Sequence, residues 1–174
     1  MKRSDNEPGA GRVEGSGGVA MMKGRRFIGL EPGDTRERLF ALLGAAHRDR
    51  IHVDEETSRV LVCYRVDGTR SESIGVICDT ESERITYVSV LADAESDGRE
   101  LKRFLATRGV SEPLLDFVGK RLCDLLEVFG PPAAGPSEST YRYERGNSTL
   151  AFEACDSGGG RISRISVYWH DPEA

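Results

Sequence analysis

The chain has 174 residues, a formal net charge of −5, 38% hydrophobic and 30% charged residues, which suits one domain or two small ones sharing a core. The acidic balance argues against nonspecific binding to nucleic acid or to an anionic membrane surface. The chain has no apolar run long enough to cross a membrane, and Lys2 and Arg3 lead into polar residues instead of the apolar core of a signal peptide, so a cytoplasmic protein is expected.

Residues 1–24 are rich in Gly, Ser, Glu and Arg and are expected to be a disordered tail. A first α-β unit is expected over residues 25–91. Phe27–Leu30 is a short apolar run, and Pro32-Gly33 turns the chain into a helix. Asp34 or Thr35 is its N-cap; with Asp34 in that place, Glu37 completes a capping box. Leu39, Phe40, Leu42 and Leu43 form the apolar stripe, and Gly44 is the stop. Strands are predicted at Arg50–Val53, Arg59–Val66, Ser73–Cys78 and Arg84–Leu91, with turns at Asp54-Glu55-Glu56 and Asp67-Gly68. In the last of these strands Ile85 and Tyr87 are expected on one face, Thr86 and Val88 on the other.

Residues 92–110 read as a connecting helix with Leu101, Phe104 and Leu105 on its apolar face. A second unit is expected over residues 111–174. Ser111 caps a new helical turn at Pro113, and a further helix runs over Gly119–Gly130. The proline-rich segment 131–136 breaks it. Strands follow at Thr140–Glu144, Ser148–Ala154 and Arg161–His170, turned by Gly146-Asn147 and by Gly158–Gly160.

The two units resemble each other. Residues 78–90 read CDTESERITYVSV and residues 155–167 read CDSGGGRISRISV, with identities at Cys78/Cys155, Asp79/Asp156, Arg84/Arg161, Ile85/Ile162, Ser89/Ser166 and Val90/Val167. Upstream, Gly33/Gly119, Leu39/Leu125 and Gly44/Gly130 also match. A unit used twice predicts an α+β protein: two tandem helix-plus-antiparallel-strand units forming a shared antiparallel sheet with helices on one face.

Gly33-Asp34-Thr35 followed by a short amphipathic helix ending in Leu43-Gly44, and the later Phe129-Gly130-Pro131-Pro132 before a tyrosine-rich hairpin, resemble a known unit. It is the helix-then-hairpins unit of the beta-lactamase inhibitor protein and of the small outer-membrane assembly lipoproteins of the SmpA/OmlA type. The resemblance implies a combined sheet whose concave face grips a partner protein. The chain departs from both families: it has no lipobox cysteine near its start, and no secretory signal.

Signals for chemistry are sparse. His47 and His52 lie close to Asp54 and Glu55, and His170 is the third histidine; a metal or acid–base cluster is one reading and a solvated loop the other. Asp79 and Asp156 read as a carboxylate pair or as turn residues bonding their own backbone. Cys63, Cys78, Cys123 and Cys155 make no C-x-x-C pair and are expected buried and reduced; a Cys78–Cys155 disulfide is the alternative. No nucleophile elbow, zincin motif or phosphate loop is present. No catalytic residue, metal or cofactor is therefore assigned.

Face assignment carries the functional expectation. Val88/Ile165 and Val90/Val167 form the more apolar face and are given to the helices. The opposite face carries Tyr87/Arg164, Ser89/Ser166 and Leu91/Tyr168, and Tyr141 and Tyr143 are taken to join it. The candidate partner-binding residues are thus Tyr87, Ser89, Tyr141, Tyr143, Arg164, Ser166 and Tyr168, since Tyr and Arg are enriched in binding hot spots; the competing reading is a solvated sheet face with ordinary cross-strand pairs. A non-catalytic protein-binding module of inhibitor or immunity type is expected, as a monomer or small homo-oligomer. The alternatives are an oligomeric scaffolding component and a small-ligand sensor.

Overall fold

The computed structural model describes residues 26–46, 50–132, 139–155 and 160–170. The expected tail, His47, Asp156, Gly158 and Gly159 lie outside the described residues. In chain order the elements are α1 (Arg36–Leu43), β1 (Ile51–Asp54), β2 (Arg59–Arg65), β3 (Ser73–Asp79), β4 (Ile85–Leu91), α2 (Arg99–Ala106), a 3-10 helix (Pro113–Phe117), α3 (Asp124–Phe129), β5 (Thr140–Arg145), β6 (Ser148–Ala154) and β7 (Ile162–Trp169). The strands make one seven-stranded sheet in the order β1-β2-β3-β4-β7-β6-β5, antiparallel throughout. Two meanders therefore meet at the β4–β7 pair. The protein is α+β.

Alternation builds one core. Val60, Val62, Ile74, Val76, Cys78, Val88, Val90, Leu150, Phe152, Ile165 and Val167 are buried on one face of the sheet, as a period of two requires. The helical segments bring Leu39, Leu43, Leu101, Leu105, Leu114, Leu115, Phe117 and Leu125 onto that face, in a single hydrophobic cluster.

The helix starts differ from expectation for local reasons. Thr35, not Asp34, caps α1, with its Oγ1 accepting from the Arg38 N–H at 3.5 Å; Asp34 instead accepts from the Glu31 N–H at 2.8 Å. No capping box forms, because Arg38 holds the third helical position. α2 begins only at Arg99, after Gly98 in the left-handed region. Glu112 replaces Ser111 as the cap of the 3-10 helix. Its carboxylate accepts from the Leu114 N–H at 3.1 Å and from the Ile28 N–H at 2.8 Å, fastening the start of the first unit to the second. α3 has only six residues, since residues before it are drawn to the sheet: the Ile162 N–H donates to the Lys120 carbonyl at 2.8 Å. The first half does likewise, with the Ile85 N–H donating to the Asp34 carbonyl at 2.8 Å.

Two further details occur once in each half. Tyr64 donates its hydroxyl to the Gly44 carbonyl at 2.8 Å, and Tyr143 to the Gly130 carbonyl at 3.2 Å, so each tyrosine satisfies a carbonyl at a helix C-terminus. The ladder register also shifts between Ile77 and Cys78 and between Glu153 and Ala154, leaving Thr86 and Ser163 without opposite partners. These are bulges. Each re-aims the residue before it, so Ile85 and Ile162 turn into the core. That overturns the expectation that Ile85 shares a face with Tyr87.

Candidate functional site: the open face of the sheet

The bulges fix which residues look away from the helices. Beyond them the β4–β7 register pairs Tyr87 with Tyr168, Ser89 with Ser166 and Leu91 with Arg164, so these six side chains share the uncovered face. One cross-strand row holds Leu61, Ile77, Tyr87, Tyr168 and Thr149. The next holds Gly75, Ser89, Ser166 and Ala151. That second row consists of small residues, and two of them, Ser166 and Ala151, are buried. Gly75 suits that row: a Cβ there would lie 3.1 Å from the Ser89 Oγ.

The centre of the face is ordered by its own contacts. The Tyr87 and Tyr168 rings lie 4.5 Å apart, tilted by 48°, and the Tyr87 hydroxyl donates to the Ser166 Oγ at 3.3 Å. Ser166 is thereby covered completely, while Tyr168 keeps 39% exposure. Burial, followed by the neighbouring Tyr87, pushes the Tyr168 phenol above its usual pKa; it stays neutral across the physiological range. Arg164 pairs with Glu153 at 3.1 Å on the other side of the row of small residues. At the far end the Thr149 hydroxyl lies 2.7 Å from both the Glu144 carboxylate and the His170 Nε2. The hydroxyl stands between acid and imidazole, so this chain of contacts orients strand ends and does not form a nucleophile–base–acid relay.

The structure brings together Tyr87, Ser89, Arg164, Ser166 and Tyr168. It removes Tyr141 and Tyr143 from the site. Their register partners are Phe152 and Leu150, which face the core, and Tyr143 is only 2% exposed. Its ring packs 5.3 Å from Phe129 and 6.2 Å from Phe152, and burial pushes its phenol up to about 12. Thr140, Arg142 and Glu144 are the residues of β5 that share the open face. Tyr64 occupies the corresponding place in the first half, a match that the strand register shows and the offsets of the sequence repeat do not.

The remaining chemical candidates disperse. His52 is exposed on the edge strand. Asp54 accepts from the Glu56 and Thr57 N–H groups and the Thr57 hydroxyl, and Asp79 does the same with Glu81 and Ser82. These turn bonds hold both carboxyls below their usual pKa. Among the described residues no three ligating side chains converge as a metal site needs. Cys78 is buried, but Cys63 and Cys155 are only half-buried and Cys123 is exposed, against expectation, the last because it stands at the N-terminal end of α3. Sequence reasoning also passed over Glu72, a buried carboxylate at a concavity between two loops.

No protein-family model matches the chain, and no curated protein matches it. Among solved structures, an extracellular protein containing an SCP domain from Bacillus anthracis is similar, with a TM-score of 0.42 and 12% identity over 97% of this chain. This chain spans about half of that one, 49%. A DUF4309 family protein from Bacillus subtilis is similar with a TM-score of 0.49 and 16% identity, over 87% of this chain and 90% of that one.

Proposed function

We propose that this protein is a non-catalytic protein-binding module, of inhibitor or immunity type, that engages its partner through the open sheet face. The observation that carries this reading is the Tyr87–Tyr168 pair, half exposed at the middle of a face that the helices leave uncovered. Aromatic anchors on an uncovered sheet face are what a hot spot needs, since their rings give a partner rigid contact area. The pairing of Ser89 with its sequence counterpart Ser166 supports the further reading that one α-β unit is used twice, which is also what the resemblance to the inhibitor and assembly lipoproteins implies. Free Cys78 in the core suits a reducing cytoplasm.

The test is an affinity capture from native extract with the wild-type protein and a Tyr87→Ala/Tyr168→Ala variant whose fold is checked by circular dichroism. A stoichiometric partner held by the wild type and lost by the folded variant is the expected result. A partner retained by the variant places the binding surface elsewhere.

A further inference from the structure

The outer strands of the sheet, β1 and β5, have one neighbour each, so each turns a row of backbone N–H and C=O groups away from the sheet. β1 is four residues long, and its Asp54 is taken up by the turn that follows. β5 is longer, and the turn after it fixes which of its groups look outward. Only Gly146 and Asn147 separate Arg145 from its register partner Ser148, so Arg145 closes a two-residue hairpin and its backbone points to β6. Alternation along an antiparallel ladder then turns Tyr143 and Tyr141 to β6 as well, and leaves the N–H and C=O groups of Arg142 and Glu144 on the free edge. The Glu144 carbonyl agrees with this: it accepts from the neighbouring Arg145 guanidinium at 3.0 Å.

The side chains of these two residues are exposed and opposite in charge. The Arg142 guanidinium has no hydrogen bond or ion pair among the described residues. Glu144 uses its Oε2 for the Thr149 hydroxyl, and a carboxylate has room for further donors. A second β5 running antiparallel meets the first about a two-fold axis, in a register that keeps every side chain on its own face. With Arg142 on the axis, Arg142 faces Arg142; with Glu144 on it, Glu144 faces Glu144. Both registers oppose like charges. With Tyr143 on the axis, Arg142 of each copy faces Glu144 of the other.

We propose that β5 pairs with β5 of a second copy of this chain in that register, joining two sheets edge to edge in a homodimer. Arg142 and Glu144 exchange backbone N–H···O bonds across the axis, as directly opposed residues of an antiparallel ladder do, and their side chains form ion pairs on the open face. The Glu144 carbonyl then passes from the Arg145 guanidinium to the second copy, and the released guanidinium lies opposite the half-buried Tyr141 ring. Both open faces look to the same side, since the two-fold axis of an antiparallel pair stands upright on the sheet. One strand edge is a small contact beside the roughly 1,200–2,000 Å2 that stable complexes bury, so the dimer is weak and concentration-dependent.

Sedimentation velocity of the full chain, from low micromolar to millimolar concentration, tests this. A shift from monomer to dimer is expected, weakened by salt. Arg142→Glu and Glu144→Arg, made singly, set like charges opposite each other and are expected to weaken the dimer by roughly tenfold or more. Mixed in equal amounts, the two variants are expected to form a heterodimer, because every charge then meets its opposite. The exchange variant Arg142→Glu/Glu144→Arg is expected to dimerise as wild type does, and circular dichroism checks that each variant is folded. Tyr87→Ala/Tyr168→Ala is expected to leave the dimer intact, so the fate of the dimer is read separately from that of the open-face partner. A chain that stays monomeric throughout overturns the proposal. So does a dimer that both single reversals leave untouched, or folded single variants that stay apart when mixed. A dimer abolished by Val53→Lys on β1 overturns it in favour of the other edge.

Discussion

Glu72 shows how a single residue departs from what the rest of the fold requires. Its carboxyl is held above the ordinary value of 4.5, chiefly by burial. The folded state therefore binds this proton more tightly than the unfolded chain. The side chain's contribution to stability is intact below the ordinary glutamate pKa and is lost as pH rises through the raised folded value. Glu72→Gln is expected to melt at higher temperature than wild type at neutral pH. The advantage should vanish once pH falls below 4.5, where the wild-type carboxyl is itself neutral. Melting curves across that range check the sign; a variant less stable than wild type at neutral pH contradicts it.

At the scale of elements, both halves solve one problem twice. Each must end a short helix and bring the chain back to a strand, and neither helix is long enough to stand alone. Tyr64 and Tyr143 bond the carbonyls of Gly44 and Gly130, and the bulges at Thr86 and Ser163 turn Ile85 and Ile162 inward. The glycines around the helices carry unequal loads. Gly44 and Gly119 both have positive φ, but a Cβ at Gly44 meets nothing within 4 Å, whereas one at Gly119 lies 2.7 Å from the Ser96 carbonyl oxygen. Gly44→Ala is expected to cost about 1–3 kcal/mol from backbone conformation alone, since φ 90° with ψ 166° is a region open essentially to glycine. Gly119→Ala must also move backbone against backbone and is expected to cost about 2–4 kcal/mol. Urea denaturation of the two variants measures the difference; equal costs refute the steric part.

Over the whole molecule, the β4–β7 seam decides cooperativity. One hydrophobic cluster spans both meanders, and Ile165 lies in it between Val90 and Phe152. Ile165→Ala is expected to lose about 2–5 kcal/mol through the cavity it leaves. Unfolding should stay a single transition in which fluorescence of Trp169, the one tryptophan, coincides with far-UV circular dichroism. Separate transitions mean that the halves unfold independently. The same seam places the open face, since pairing β4 with β7 puts Tyr87 beside Tyr168.

The seven strands and the helices at Arg36–Leu43 and within residues 92–110 were legible in the chain, because period-two alternation and glycine stops are local signals. So were Tyr87, Ser89, Arg164, Ser166 and Tyr168 as one face, since the matched segments had to present corresponding residues alike. What lay beyond the sequence depended on which strand meets which. Alternation says that Tyr141 and Tyr143 share a side, yet only the pairing with Phe152 and Leu150 says which side it is. A bulge inserts one residue and inverts parity, which no periodicity foretells, and so Ile85 faces the core. Glu72 carried no motif; its burial and its unbonded oxygen follow from two loops, distant in sequence, closing over it. Local propensities and spacing determined the elements of this protein, while the register between strands and the approach of its loops decided what each side chain meets.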